Sequence, residues 1–402
     1  MKFVRDSVHG TLNLTEFELK LIDTPPLQRL RRIRQLGFIN LIYPGANHSR
    51  FEHSIGALYL ASRLADSIGL DEDKKSLLRI CALLHDVGHG PFSHVSEPAL
   101  NVPHEEFTSY VIKNSEITDV LNEKYKINKI DDIIHGKSVL GQAISGELDV
   151  DRMDYLLRDS HYTGVAYGTI DVERLIYNLK LENNLVLDIK GVQAAESMLV
   201  ARYFMYPSVY QHHTTRIVNA MFRRCLKHAI TDGLIDSQYL NTHDDSDLLC
   251  LCRAQEGIIG EFTSMLDNRN LLKNVKSLNL SEVENPEQPF KIPKDDLLSA
   301  EVEIAEDYDI PRDYVILSMP EYPSFDEART QVSTGDAIVK LSEISSIVNA
   351  LNDAKFNYAE LCIYVPKEYR EKMSNFDFYD YLDLPEQKNT YNKQLRLQIK
   401  YD

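Results

Sequence analysis

The sequence predicts a mainly α fold, with a helical core followed by a smaller C-terminal α+β lobe. Three observations carry this. Apolar residues recur at helical spacing from Thr15 to about residue 232. All 13 His lie at or before His243, so any imidazole chemistry belongs to the first part. After about residue 285 the texture changes: Pro286, Pro289 and Pro293 mark a connection, and short β-type runs follow. We therefore divide the 402 residues into a core over 1–285 and a lobe over 286–402.

Each element has a local cause. Thr15-Glu16-Phe17-Glu18 is a capping box with Leu14 as its hydrophobic staple, opening a helix that Pro25-Pro26 stops. A second helix is expected over Leu27–Leu36, ending at Gly37. Helical patterning returns over 52–68 and 74–87, and again over 192–232 with a kink or break at Pro207. Leu179, Leu181, Leu185, Leu187 and Ile189 alternate around Asn183-Asn184, which predicts a small hairpin. In the lobe, strands are expected at Tyr314–Leu317, Ala337–Leu341 and Leu361–Val365, with a helix over Glu343–Ala354.

Composition narrows the function. Lys+Arg 44 against Asp+Glu 61 leaves a net charge of −17, which disfavours non-specific binding to DNA or anionic membranes. An anionic ligand is still compatible, because a bound metal and local Arg clusters invert the sign inside a cleft. Five Cys without framework spacing read as reduced thiols. No window approaches the ~18 apolar residues of a membrane span, and Met1–Asp6 shows no apolar signal region. A cytoplasmic protein is expected.

The strongest local signal is Leu83-Leu84-His85-Asp86-Val87-Gly88-His89-Gly90-Pro91-Phe92-Ser93-His94. An apolar helix ends in adjacent His and Asp. Imidazole plus carboxylate suits a borderline divalent ion and leaves positions open for water. His53 on an earlier helix and Asp151 downstream complete the ligand set. Taken alone, the dipeptide is a weak signal and reads first as a helix C-terminus where His85 favours the macrodipole and Asp86 is solvated.

With these residues in place, the chain resembles the HD superfamily of metal-dependent phosphohydrolases. Within it, the likeness is to the deoxynucleoside triphosphate triphosphohydrolases (dNTPases), including the catalytic core of the vertebrate sterile-alpha-motif/HD-domain enzymes. The family pattern H…HD…D falls on His53, His85-Asp86 and Asp151. The likeness runs from Lys2 to about Arg216 and weakens in the C-terminal lobe. It implies an HD-domain helical core and one divalent ion, with Fe, Mn, Ni, Zn or Mg all compatible with two His and two Asp. The ion would polarise a phosphoryl oxygen and lower the pKa of a bound water.

The resemblance also implies site roles. His94 is the proton donor to the leaving oxygen, with Glu97 orienting it where the family usually has Asp. His89 and His104 are neighbouring phosphate or catalytic contacts. Arg50, Arg152 and Arg202 bind phosphate, bidentate where geometry allows. Gln35, Leu36, Tyr155, Asp159 and Tyr210 contact the deoxynucleoside. Tyr210 packs under the sugar against a 2′-hydroxyl, while Gln35 and Asp159 read the 3′-hydroxyl. Without the resemblance, Tyr210 reads as a core aromatic and each His as a loop residue. The implied reaction cleaves a dNTP to a deoxynucleoside and inorganic triphosphate. Alternatives are an HD phosphatase or diphosphohydrolase on another nucleotide, and a nucleotide-sensing binding module.

The run Arg29-Leu30-Arg31-Arg32-Ile33-Arg34 reads on its own as a solvated helix face. In tetrameric family members, the residues matching Lys2, Asp23, Gln28 and Arg31 hold a guanine nucleotide at a subunit interface. The resemblance thus implies a dGTP or GTP effector and a homo-oligomer, dimer or tetramer. Arg5 and Thr11 depart from the family pattern of Asn and His there. No membrane or nucleic-acid partner is expected.

Overall fold

Thr15 opens the first helix as its capping box requires. Its Oγ1 accepts the Glu18 N–H at 3.2 Å, and Glu18 Oε2 accepts the Thr15 N–H at 2.8 Å. The computed structural model describes residues 2–100, 103–323 and 329–388. Ahead of Thr15, β1 (Lys2–Asp6) and β2 (Gly10–Leu14) form an antiparallel hairpin. Then come α1 (Glu16–Ile22), α2 (Pro25–Arg29), α3 (Arg50–Ser67), α4 (Glu72–Leu84), α5 (Glu97–Leu100), α6 (His104–Asn114), α7 (Glu116–Asn122), α8 (Ile127–Ile134), α9 (Val150–Thr163) and α10 (Val172–Asn178). The hairpin β3 (Leu179–Leu181) and β4 (Leu185–Asp188) turns at Asn183-Asn184, as the alternation predicts. The long stretch after it divides into α11 (Val192–Met205), a π-helical turn over Tyr206–Tyr210 containing Pro207, and α12 (His213–Thr231). α13 (Ser237–Thr242), α14 (Asp245–Arg253) and α15 (Gly257–Asp267) follow. The protein is mainly α.

α3 is the central helix, packed on α4 and α9 with most of its residues buried. Leu58, Leu64, Leu77, Leu83, Met153 and Leu156 belong to the core around it. Burying each such side chain stabilises by about 1.5–3 kcal/mol.

The second helix differs from expectation. Pro25 and Pro26 start a helix at its first positions rather than only stopping the previous one. That helix and the 3-10 turn after it end at Arg32, and Ile33 is extended. The reason is tertiary: the Gln35 N–H donates to His48 O at 3.0 Å, and the Arg50 N–H donates to Ile33 O at 2.9 Å. Pairing with the segment before α3 outweighs local helix propensity.

The division of the chain also differs from a boundary at residue 286. One unit comprises residues 2–270 with 329–352, and the other 271–323 with 353–388. In the second unit, β5 (Lys273–Asn279), α16 (Lys294–Asp307) and β6 (Ile316–Ser318) build part of a sheet of order β5-β9-β6 with α16 packed on it. The chain then supplies β7 (Gln331–Ser333), β8 (Ile338–Lys340), α17 (Leu341–Ile344) and α18 (Ser346–Asp353), before β9 (Glu360–Val365) completes that sheet. β7 pairs in parallel with β4, and Val332, Leu341 and Val348 join the core of the first unit. The strand expected at Ala337–Leu341 therefore exists but belongs to the helical core. The helix expected over Glu343–Ala354 is two short ones.

Candidate metal centre and active-site cavity

Three helix ends converge. Ser49 caps α3 in a capping box with Glu52, which sets Arg50 and His53 one turn apart on one face. His85 is the C-cap of α4, and Asp86 follows in the turn. Asp149 caps α9 by accepting the Arg152 N–H at 2.7 Å, placing Asp151 in the first turn and Asp154 one turn on.

His53, His85, Asp86 and Asp151 come together. His53 Nε2 lies 3.0 Å from Asp151 Oδ1 and 3.7 Å from Asp86 Oδ2; His85 Nε2 lies 3.3 Å from Asp86 Oδ1 and 3.6 Å from Asp151 Oδ1. Both Nε2 atoms are buried and make no hydrogen bond to any described residue. The other ring nitrogens are engaged: His53 Nδ1 meets Asp154 Oδ2 at 2.8 Å, and His85 Nδ1 meets Ala82 O at 2.8 Å. With Nδ1–H donated outward, both Nε2 lone pairs face the gap between the carboxylates. Orphaned buried nitrogens beside two carboxylates fit a divalent cation. Burial depresses the His53 imidazolium, but the close Asp151 carboxylate and the hydrogen-bonded Asp154 outweigh it and raise its pKa to about 10. The pocket therefore favours positive charge. The Asp151 side chain is 32% exposed and marks the open side.

Asp154 backs the centre from the interior, where it has no exposure. It accepts from His53, from His9 at 2.6 Å and from Arg158 at 2.8 and 2.9 Å. Motif spacing does not single it out, although i+3 from Asp151 puts it on the same face of α9. Asp6 and His9, from the turn between β1 and β2, point inward to Arg158 and Asp154.

A cavity of about 450 Å³ opens beside the centre, within the range of small-molecule sites. Its walls include Gln35, Arg50, Arg152, Tyr155 and Arg202 together with His85, Asp86, His89, His94, His104 and Asp151. Arg50 is nearly buried, pairing with Asp86 and donating to Ser93 Oγ at 2.6 Å. Arg152 pairs with Asp149. Gln35 Oε1 is buried with no hydrogen-bond partner among the described residues.

The loop after Asp86 is held tightly. Arg29 donates to Val87 O at 3.1 Å and His89 O at 2.8 Å, and Asp245 accepts the Phe92 N–H at 2.7 Å. Phe92 and Ser93 adopt φ of 57° and 54°, a strained conformation for side chains of this kind. Phe92 stacks on Phe38 at 4.2 Å, which anchors the turn. Beyond it, Glu97 joins two imidazoles: His94 Nδ1 lies 2.9 Å from Oε2, and His104 Nδ1 lies 3.2 Å from Oε1. The longer Glu therefore reaches His94. The His89 and His104 rings stack at 3.9 Å. Burial and the Arg50 charge hold the His89 pKa well below its usual value. The His94 side chain is 61% exposed toward the cavity mouth.

Asp159 and Tyr210 do not line the cavity. The Tyr210 hydroxyl donates to Asp159 Oδ2 at 2.8 Å, and His48 Nε2 lies 2.8 Å from Oδ1. Tyr210 packs edge-on to Tyr155, which does line it. Leu36 is half-buried next to Gln35. His48 carries no motif of its own, and only its position just before the α3 cap hints at a role. Among the residues matched to the effector site, Lys2 and Asp23 are exposed. Arg31 donates to Gln28 Oε1 at 2.9 Å and lies 3.5 Å over the Phe51 ring. The Arg29–Arg34 run is not a uniform solvated face, since Arg29 is buried.

Residues 50–159 match the family described as the HD domain, and residues 170–393 the family described as the HD-associated region. The chain belongs to the HD-domain family. An uncharacterized protein from Methanocaldococcus jannaschii is 35% identical over 92% of this chain and 80% of its own length. The human deoxynucleoside triphosphate triphosphohydrolase SAMHD1 is 27% identical over 76% of this chain, which spans only 59% of that protein. The crystal structure of a phosphohydrolase from Bacteroides thetaiotaomicron superposes with TM-score 0.75 at 26% identity, covering 91% of this chain and all of the other. Among the described residues, no helix of this HD-domain chain is long and apolar enough to cross a membrane.

Proposed function

We propose that this chain is a metal-dependent phosphohydrolase that cleaves dNTPs to a deoxynucleoside and inorganic triphosphate. The observation that carries the reading is the pair of orphaned Nε2 atoms of His53 and His85, facing Asp86 and Asp151 at the head of an arginine-lined cavity. The likeness to the human deoxynucleoside triphosphate triphosphohydrolase supports the choice of substrate. His53, His85, Asp86 and Asp151 would hold the ion, which when bound supplies Lewis-acid polarisation of a phosphoryl oxygen and a more acidic water.

The chain's own groups do the rest. Arg50, Arg152 and Arg202 offset the triphosphate charge and fix its orientation. Water attacks the α-phosphorus, the bond from phosphorus to the 5′-oxygen breaks, and the leaving oxygen takes a proton. Glu97 holds the His94 ring through Nδ1, leaving Nε2 to deliver that proton. Gln35 Oε1 accepts from a sugar hydroxyl. His48 and Tyr210 fix the Asp159 carboxylate beside Tyr155. Asp23, Gln28 and Arg31 offer the outer face for a dGTP or GTP effector in a homo-oligomer.

The test is product analysis. Metal-loaded protein is incubated with each dNTP and NTP, with and without dGTP, and the products are separated by chromatography. Intact triphosphate and free deoxynucleoside are expected. Orthophosphate or pyrophosphate instead would assign the site to a phosphatase or diphosphohydrolase. Equal dATP hydrolysis and equal sedimentation with and without dGTP would remove the effector.

A further inference from the structure

The HD-domain match begins at residue 50, yet the carboxylate behind His53 is held from the first ten residues. His9 Nε2 lies 2.6 Å from Asp154 Oδ1, while Asp154 Oδ2 engages His53 Nδ1 at 2.8 Å. Arg158 bridges Asp154 to Asp6, donating to Asp6 Oδ2 at 2.9 Å. Asp6 Oδ1 in turn accepts the Val8 and His9 N–H groups at 2.9 and 2.8 Å, which fixes the turn that carries His9. Ser7 Oγ meets the Tyr162 hydroxyl at 2.8 Å, and that hydroxyl donates to Glu52 Oε1 at 2.7 Å. The turn between β1 and β2 is thus tied to both helices that carry His53 and Asp154.

We propose that His9 is a positioning residue of the metal centre, acting on His53 through Asp154, so that the N-terminal hairpin is part of the site. Asp154 is a buried carboxylate whose lone pairs are shared among three side chains. Its position sets the plane of the His53 ring and so the direction of the Nε2 lone pair. Outer partners of this kind govern how well a ligand presents itself to the metal. Arg158 holds Asp154 along α9, from its own helix. His9 approaches from a different element and fixes the carboxylate in the remaining direction. The His9 ring also packs on Tyr59, with centroids 5.1 Å apart, which limits its own freedom.

The inference rests on the metal reading of His53, His85, Asp86 and Asp151, and the test separates the two. Metal-stripped full-length protein is titrated with Mn²⁺ by calorimetry, comparing wild type, His9→Ala and His9→Gln. Thermal unfolding of each metal-free protein is recorded alongside. Removing the His9 donor is expected to weaken Mn²⁺ binding about tenfold, within the usual range for such partners. His9→Gln keeps an N–H donor and is expected to recover most of the affinity. The metal-free unfolding midpoints of wild type and His9→Gln should agree. Unchanged affinity in His9→Ala overturns the inference, as does a loss in His9→Gln equal to that in His9→Ala. If His9→Ala does not fold, a tenfold loss in a stably folded His9→Gln overturns it. Wild-type protein that binds no Mn²⁺ overturns the metal centre, and this inference with it.

Discussion

Gly56 and Asp154 are in contact across the α3–α9 packing. A Cβ built on Gly56 would stand 1.9 Å from Asp154 Oδ1 and 2.3 Å from Arg158 Nη2. Only hydrogen at this position lets the carboxylate that orients His53 lie flat against α3. Gly56→Ala is expected to destabilise the fold by about 1–3 kcal/mol through overpacking, and to weaken Mn²⁺ binding by displacing Asp154. Thermal unfolding and metal titration check this. A variant as stable and as tightly metal-binding as wild type would refute the contact.

Asp86 faces His85, His53 and Arg50 at once. Asp86→Ala removes a proposed ligand and leaves the Arg50 charge unpaired in a buried position, which is costly. Bound metal, measured by elemental analysis after dialysis, is expected to fall at least about a hundredfold in affinity terms, beyond the usual outer-partner effect. Turnover should fall with it. Retained metal at wild-type stoichiometry would exclude Asp86 from the ligand set.

In the proposed mechanism His94 delivers the proton and Glu97 orients it. His94→Ala should lower kcat by about 10²–10⁴-fold while leaving Mn²⁺ affinity unchanged. Glu97→Asp shortens the side chain by one methylene and should cost less than Glu97→Ala. Steady-state kinetics with dATP measures both. Equal kcat in His94→Ala and wild type would move the acid role elsewhere.

The Glu97–His104 pair predicts a stability window in pH. Burial raises the Glu97 pKa, but hydrogen bonds from His104 and His94 outweigh it and bring it well below the carboxylate range. Its contribution is present above the unfolded value of about 4.3 and is lost as pH falls. Burial lowers the His104 pKa, but its hydrogen bond to Glu97 outweighs that and raises it. Its contribution is complete below the unfolded value of about 6.5 and is lost as pH rises through the folded value. The stability difference between wild type and Glu97→Gln should therefore peak between about pH 4.5 and 6.5. Urea unfolding at pH 4, 5.5 and 8 measures it, and a difference independent of pH would refute the pairing.

His48 links Gln35 on the cavity wall to Asp159 and Tyr210 behind it. Its carbonyl accepts the Gln35 N–H, and its ring holds Asp159, which in turn holds Tyr210. His48→Ala should raise KM for dATP several-fold with a smaller effect on kcat, and cost about 1–3 kcal/mol of stability through the uncovered Asp159. A variant with wild-type KM would detach Asp159 from substrate binding.

Much was legible in the residues because local physics dictates it. A capping box at Thr15 places a helix start, Pro207 interrupts a long helical pattern, and Asn183-Asn184 turns a hairpin. His85-Asp86 at the end of an apolar helix, read with His53 and Asp151, marks the four donors that converge. Less visible were the β1–β2 hairpin, whose strands are short and mostly exposed on one side, and β5, whose alternation is weak. Helix propensity over Leu27–Leu36 misleads because Ile33 and Gln35 pair with a segment that periodicity does not connect to them.

Chain chemistry by itself singled out the candidate cation donors and roughly where several helices begin, since caps, prolines and apolar spacing act over a few residues. Only the tertiary structure decided that Asp154, His9 and His48 stand behind the donors, that residues 329–352 return to the helical core, and that Asp159 and Tyr210 lie off the cavity wall. Those outcomes depend on which surfaces pack together over separations of more than a hundred residues, where no local preference operates.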